Sequence, residues 1–213
     1  MKGKFYRVFH GLLRKPFAWV LRLHVHGAEN EPDADCGPYI ICGNHTVFAD
    51  PIFLCVATKK QQPHFMAKRE LFKVPLLGWL IRALGAFPVD RGSGDVSAIK
   101  KGIALLEQGK SLGIFPQGHR YVGVNPRETE ARHGIGMIAS RTHATILPCY
   151  LCMPDYKYKF GRRLDIVIGK PILYEEYAAG LSGKAEYVAI TQKVFDRICT
   201  LGEQFMQEEG ELK

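Results

Sequence analysis

His45 and Asp50, separated by four residues in Gly43-Asn-His-Thr-Val-Phe-Ala-Asp-Pro51, are the pair in this chain best suited to moving a proton. Histidine titrates near neutrality, so it serves as a general base toward a hydroxyl. A carboxylate that accepts from its other ring nitrogen fixes the tautomer and stabilises the imidazolium left after proton transfer. The pair follows the apolar run Tyr39-Ile-Ile-Cys42, on a loop leaving the C-terminal end of an expected strand, where α/β sheets place their sites. Asp50 also precedes Pro51 and an apolar helical run, which suits a helix N-cap, and both roles can hold at once. His45 alone is equally readable as a structural histidine beside a strand.

Two further segments deliver arginines to strand ends, and a third places one at the opening of a helix. Leu84-Gly-Ala-Phe-Pro-Val-Asp-Arg91 ends in an arginine followed by Gly92-Ser-Gly94, and Gly113-Ile-Phe-Pro-Gln-Gly-His-Arg120 breaks at Pro116, turns at Gly118 and delivers Arg120. A guanidinium stays charged and grips two oxygens at once, which suits phosphate or carboxylate. Gly118 lets backbone amides approach an anion closely. In the plainer reading Asp90 pairs with Arg91 on the surface and Asp95 caps the helix that follows. Arg132-His-Gly-Ile-Gly136 opens a helix with small residues and positive charge, a fit for an anion at a helix N-terminus. Thr145-Ile-Leu-Pro-Cys-Tyr150, interrupted by Pro148, reads as structural or pocket-lining.

The elements that must position these residues alternate. Strands are expected at 21–26, 39–42, 64–67, 86–89, 111–115, 145–151 and 165–168, and helices at 51–57, 74–83, 95–108 and 132–142. Tyr187, Ile190, Val194, Ile198, Leu201 and Phe205 recur at helical steps and predict a C-terminal helix. The fold class is α/β: a mixed, largely parallel sheet of about seven strands flanked by helices. Near the N-terminus Phe5, Val8, Phe9, Leu12 and Leu13 form a stripe at helical spacing among Lys4, Arg7, Arg14 and Lys15, predicting a basic amphipathic helix over 3–15. Such a helix lies on a membrane surface or packs on the protein's own core. The chain therefore divides into a basic amphipathic membrane-surface segment, 1–20, and a single domain, 21–213.

At 213 residues, with 46% hydrophobic and 23% charged residues, the chain can bury a full core without staples. Twenty-nine Lys and Arg against 21 Asp and Glu leave a net charge of +8, so an anionic partner is expected. The excess is concentrated: residues 1–28 carry six basic and no acidic side chains, while Glu203–Lys213 carry four acids and one base. The six cysteines lie mostly in apolar runs, as suits a reducing compartment, and Cys149-x-x-Cys152 has no second pair to complete a zinc set. No secretory leader is apparent, and the apolar stretch 71–89 is broken by Lys73, Arg82 and two prolines. Asp155-Tyr-Lys-Tyr-Lys-Phe-Gly-Arg-Arg163 interleaves aromatics and cations as single-strand binders do, but that mixture also suits lipid headgroups.

Taken in order, four blocks resemble the glycerolipid acyltransferase family that includes 1-acylglycerol-3-phosphate acyltransferase: Asn44-His45 to Asp50, Gly85 to Arg91, Phe115 to Arg120 and Ile146 to Pro148. The resemblance extends over roughly residues 21–170. It implies that His45 is the base that deprotonates an acceptor hydroxyl and that Asp50 orients it. The alkoxide then attacks the thioester of acyl-CoA or acyl-carrier protein without an acyl-enzyme intermediate. Arg91, Arg120 and the Gly118 turn would hold the acceptor's phosphate, with Asn44, Phe115, Pro116, Gln117 and Pro148 contacting the acceptor or lining its pocket. No metal or cofactor is implied, because a thioester is already activated.

The chain departs from the family at Gln117, where Glu is usual, and at His119, where Thr or Ser is common. A glutamine keeps hydrogen-bonding capacity and loses charge. Either it frees positive charge for the ligand, or it alters contact with the acceptor's hydroxyls. The resemblance thus implies lysophosphatidic acid as acceptor, with another lysophospholipid or a lipid alcohol as the alternative. A non-catalytic protein binding anionic lipid is the reading from a different class. The expected location is peripheral, on the cytoplasmic face of the cell membrane, with an anionic membrane surface and no nucleic acid as partner.

Overall fold

The computed structural model of the chain describes residues 3–89, 96–178 and 180–211. Seven strands form one sheet: β1 (Leu23–His26), β2 (Tyr39–Gly43), β3 (His64–Lys68), β4 (Phe87–Val89), β5 (Leu112–Ile114), β6 (Thr145–Cys152) and β7 (Leu164–Ile168). The helices are α1 (Lys4–Val8), α2 (Arg14–Val20), α3 (Asp50–Ala57), α4 (Leu77–Ala83), α5 (Val96–Glu107), α6 (Gly134–Thr142), α7 (Tyr174–Tyr177) and α8 (Gly183–Glu211).

Strand order is β1-β7-β6-β2-β5-β3-β4, and every pairing is parallel except β6 with β7. All five residues of β2, at the centre, are buried, because both faces of the sheet are covered. On one face Ile41 and Leu147 pack with Phe53 and Leu54 of α3 and with Tyr6. On the other Ile40, Leu112 and Ile146 meet Ile135 and Ile138 of α6 and Ile190, Val194 and Ile198 of α8. The chain leaves β2 toward α3 on the first face and leaves the adjacent β5 toward α6 on the second. The crevice between those two strand ends is the topological switch point of the sheet.

Two elements differ from the sequence reading for identifiable reasons. The helix expected over 74–83 starts at Leu77, because Pro75 disfavours a helical Val74; Leu76 takes a left-handed φ of 62° and is 79% exposed. The N-terminal helix, expected to stop at residue 15, continues through Pro16 to Val20 after a π-helical turn at Phe9–Leu13. That turn has already interrupted the usual hydrogen-bond ladder where the proline withholds its N–H.

The inward side of this helical segment carries polar groups beside its apolar ones. Tyr6 is fully buried with its hydroxyl 3.2 Å from the carbonyl of Cys55 and 3.3 Å from that of Thr58. His10 Nε2 lies 2.8 Å from the Cys55 carbonyl, and Arg14 Nε donates to the Val56 carbonyl at 2.6 Å. Spaced by four residues, these three side chains satisfy orphan carbonyls at the end of α3. Val8, Leu12, Trp19 and Val20 are exposed, by 54%, 73%, 81% and 48%. The segment therefore docks on the domain through these polar contacts and through Tyr6, Phe17 and Ala18 packed on the core, and presents Val8, Leu12, Trp19 and Val20 outward. Among the described residues no helix is long and apolar enough to cross a membrane.

Candidate active site

The loop from β2 to α3 is organised by one oxygen. Oδ2 of Asp50 lies 2.8 Å from His45 Nδ1 and accepts from the backbone amides of Thr46 at 2.6 Å and Val47 at 2.8 Å. The carboxylate thus reaches back into the loop. It does not cap α3, whose N-cap residue is Ala49, without a side-chain hydrogen bond. Asp50 is fully buried and its Oδ1 has no partner, so desolvation raises its pKa, against the opposing pull of His45 and the two amides. A carboxylate accepting from Nδ1 leaves the neutral imidazole with its lone pair on Nε2. No side chain among the described residues bonds that nitrogen.

The segment after β5 holds His45 on three sides. The Phe115 ring stacks on the imidazole with centroids 4.1 Å apart and planes at 14°. Gln117 Oε1 accepts the His45 amide at 2.6 Å, and the Tyr121 amide donates to the His45 carbonyl at 2.9 Å. Phe115-Pro-Gln-Gly118 is a turn closed by the Gly118 amide on the Phe115 carbonyl at 3.0 Å, with proline where its fixed φ belongs. Gly118 has φ 72°, and a Cβ there would stand 2.7 Å from Cδ of Arg132, so glycine gives the turn its shape and Arg132 its place.

His45 stands on the wall of a cavity of about 820 Å³. Phe65, Met66, Ile99, Ile114, Phe115 and Ile135 supply an apolar interior, while Gly118, His119, Arg132 and His133 bring polar and basic groups to it. This combination of an apolar chamber with a few converging polar groups is the usual form of a small-molecule site.

The residues singled out from sequence fall into four sets. His45, Phe115, Pro116 and Gly118 line the cavity together. Asn44, Gln117 and Pro148 do not line it, a correction to the pocket-lining role expected of them. Asn44 is buried, its amide group donating to and accepting from the Leu151 backbone at 3.1 and 2.8 Å and so tying β2 to β6. Pro148 is buried inside β6, opposite Cys42 of β2, and accepts from the Gly169 amide. Gln117 is buried behind His45. Arg120 is exposed on the same loop as Gly118, outside the cavity wall. Arg91 lies outside the described residues.

Sequence reasoning did not find Thr129, which accepts from Gln117 Nε2 at 2.7 Å, because nothing in its flanking residues marks it. Arg132, read as part of a helix-end anion site, is the arginine that reaches the cavity, just ahead of the α6 N-cap His133. The six cysteines are free, Cys42, Cys55, Cys149 and Cys199 being buried, and burial pushes the Cys55 thiol up to about 12.

A histidine with a buried carboxylate on its ring nitrogen, at the switch point of an α/β sheet, is an arrangement able to take a proton from a hydroxyl. A family model described as Acyltransferase matches residues 22–152, and the chain belongs to that family. It is 34% identical over 177 residues to the 1-acyl-sn-glycerol-3-phosphate acyltransferase of Bacillus subtilis, covering 82% of this chain and 85% of that protein. It is 36% identical over 152 residues to the Streptococcus pneumoniae protein of the same name, covering 70% of this chain and 55% of that one. The chain thus spans just over half the length of the pneumococcal relative. The crystal structure of PlsC, the 1-acyl-sn-glycerophosphate acyltransferase of Thermotoga maritima, shares the fold with a TM-score of 0.67 at 23% identity, over 92% of this chain and 79% of that one.

Proposed function

We propose that this chain transfers a fatty acyl group from acyl-CoA or acyl-carrier protein to the free hydroxyl of lysophosphatidic acid, giving phosphatidic acid. The observation that carries the reading is His45, pinned through Nδ1 by Asp50 and unpartnered at Nε2, on the wall of a cavity with an apolar interior and a basic flank. The names of the two relatives support the acceptor class.

The step follows from the pair. Nε2 of His45 takes the hydroxyl proton as the acceptor oxygen attacks the thioester carbonyl, forming the new C–O bond. Asp50 stabilises the resulting imidazolium without taking the proton itself. Collapse of the tetrahedral intermediate breaks the C–S bond, and the imidazolium returns its proton to the departing sulfur. The acyl chain lies among the apolar residues of the cavity, and the acceptor's phosphate is held by Arg132 beside the Gly118 turn, assisted by Arg120 and Arg91. No metal or other cofactor enters, since the thioester is already activated.

The enzyme works peripherally on an anionic bilayer, from which its acceptor comes. Residues 1–20 provide the contact, through exposed Leu12 and Trp19 with exposed Arg7 and Lys15 beside them. The test is product identification by mass spectrometry, with purified protein offered acyl-CoA or acyl-carrier protein and a panel of acceptors. Phosphatidic acid as the dominant product is expected. Preference for a phosphate-free alcohol or for another lysophospholipid would displace lysophosphatidic acid.

A further inference from the structure

Gln117 is 1% exposed and makes both of its hydrogen bonds to protein. The atom facing His45 must be the carbonyl oxygen, because its partner at 2.6 Å is a backbone N–H, which only donates. The amide nitrogen therefore faces Thr129 Oγ1, at 2.7 Å. The Thr129 hydroxyl spends its one proton on the Pro126 carbonyl at 2.7 Å, so it can only accept from Gln117. The chain His45 N–H, Gln117, Thr129, Pro126 carbonyl is satisfied in one direction, and it requires an acceptor at one end of residue 117 and a donor at the other.

A carboxylate fails that requirement. It accepts from His45, but its second oxygen competes with the Pro126 carbonyl for the single Thr129 proton. It also adds negative charge behind an imidazole already paired with buried Asp50. The turn that carries Thr129 is anchored from outside: Arg127 pairs with Asp196 and Glu203 of α8 and donates to Thr200 at 3.1 Å. With Phe115 on the ring face and the Tyr121 amide on the carbonyl, this chain makes the β5–α6 connection the scaffold of His45.

We infer that Gln117 is a positioning residue, a neutral relay that fixes the His45 peptide against the Thr129 turn and keeps a second carboxylate away from the imidazole. It rests on the reading of His45 as the base. Among the described residues, the titratable or charged groups around the imidazole are Asp50 from α3, and His119, Arg132 and His133 from the β5–α6 connection and the start of α6, with the Tyr121 ring tilted against His119. Phe65 and Met66 of β3 and Phe115 add no charge.

The test compares wild type, Gln117→Glu, Gln117→Leu, Thr129→Val and Thr129→Ser, each shown to be folded by thermal melting. The first readout needs no substrate: nitrogen-15 histidine spectra, with the His45 signal assigned by its loss in His45→Gln. In Gln117→Leu the His45 amide loses its acceptor, so its backbone N–H resonance should move and its proton exchange faster than in wild type. An unchanged His45 amide signal would overturn the inference whatever reaction the protein catalyses. The second readout is acyl transfer. Gln117→Leu and Thr129→Val should each lose roughly fivefold to tenfold in kcat, as for one lost hydrogen bond, at unchanged KM, with Thr129→Ser restoring the rate. Gln117→Glu should share the loss where its carboxyl is ionised, because its second oxygen then has no proton to give Thr129. A rise in acceptor KM with kcat intact would instead make Gln117 a substrate contact. Absence of acyl transfer in wild type would count against the proposed function alone, since the spectra decide the relay separately.

Discussion

His45 Nδ1 and Asp50 Oδ2 stand 2.8 Å apart, and that same oxygen collects the amides of Thr46 and Val47, so the carboxylate that holds the His45 ring also folds the loop that carries it. Asp50→Asn either keeps an oxygen at that point, without the charge that stabilises an imidazolium, or turns its Nδ2 there and meets the two amides and the imidazole with a donor. Acyl transfer should fall by roughly 10³- to 10⁴-fold with the fold retained. Circular dichroism with initial rates checks this, and a loss under tenfold would contradict it.

The buried carboxyl makes a second prediction, on stability. Asp50 has its pKa raised by burial from the ordinary 3.8, so the folded protein holds this proton more tightly than the unfolded chain. The associated stability is fully present below the ordinary value and is lost as pH rises through the folded one. Asp50→Asn lacks this pH dependence, so its melting temperature relative to wild type should rise as pH increases above about 4. A difference that stays level or falls with that increase would refute the assignment.

Arg132 packs its side chain over Gly118 at the cavity wall, the place proposed for the acceptor's phosphate. Losing a charge-assisted hydrogen bond there costs about 1.5–3 kcal/mol, or roughly 10- to 150-fold in kcat/KM for a phosphate-bearing acceptor. Arg132→Ala should show that loss mainly in KM, and Gly118→Ala should mimic it, because the added methyl meets Arg132 Cδ at 2.7 Å. Steady-state kinetics decides, and an unchanged KM in both variants would move the phosphate elsewhere.

What could be read ahead of the structure was whatever is local in sequence. All seven strands were legible from apolar runs bounded by turns, and His45 and Asp50 from their place after one of them. Helix ends near Pro16 and Pro75 shifted because a π turn and a left-handed Leu76 override the simple effect of proline. Gln117, Asn44 and Pro148 were recognisable as special but not as buried supports, since their partners Thr129 and Leu151 come from distant segments. The outward apolar face at Val8 and Leu12 was in the stripe, whereas the inward docking by Tyr6, His10 and Arg14 depends on carbonyls some 40 to 50 residues away.

That division of the N-terminal segment predicts separable effects. Leu12→Glu and Trp19→Glu should weaken retention on anionic vesicles, since they place charge on the exposed apolar face. Tyr6→Phe leaves that face alone but strands carbonyls at the end of α3, and should lower stability by about 1–2 kcal/mol with vesicle binding little changed. Vesicle sedimentation and denaturant unfolding separate the two, and full retention of the charged variants would remove this face as the membrane contact.

As the proposed base for direct acyl transfer to a lysophospholipid hydroxyl, His45 should be indispensable. The decisive experiment is phosphatidic acid formation from acyl thioester and lysophosphatidic acid, followed by mass spectrometry for wild type and a folded His45→Ala variant. Product is expected from wild type, none above background from the variant, and no acylated protein in either. Comparable rates in the two proteins, or an acyl group trapped covalently on the chain, would contradict that role.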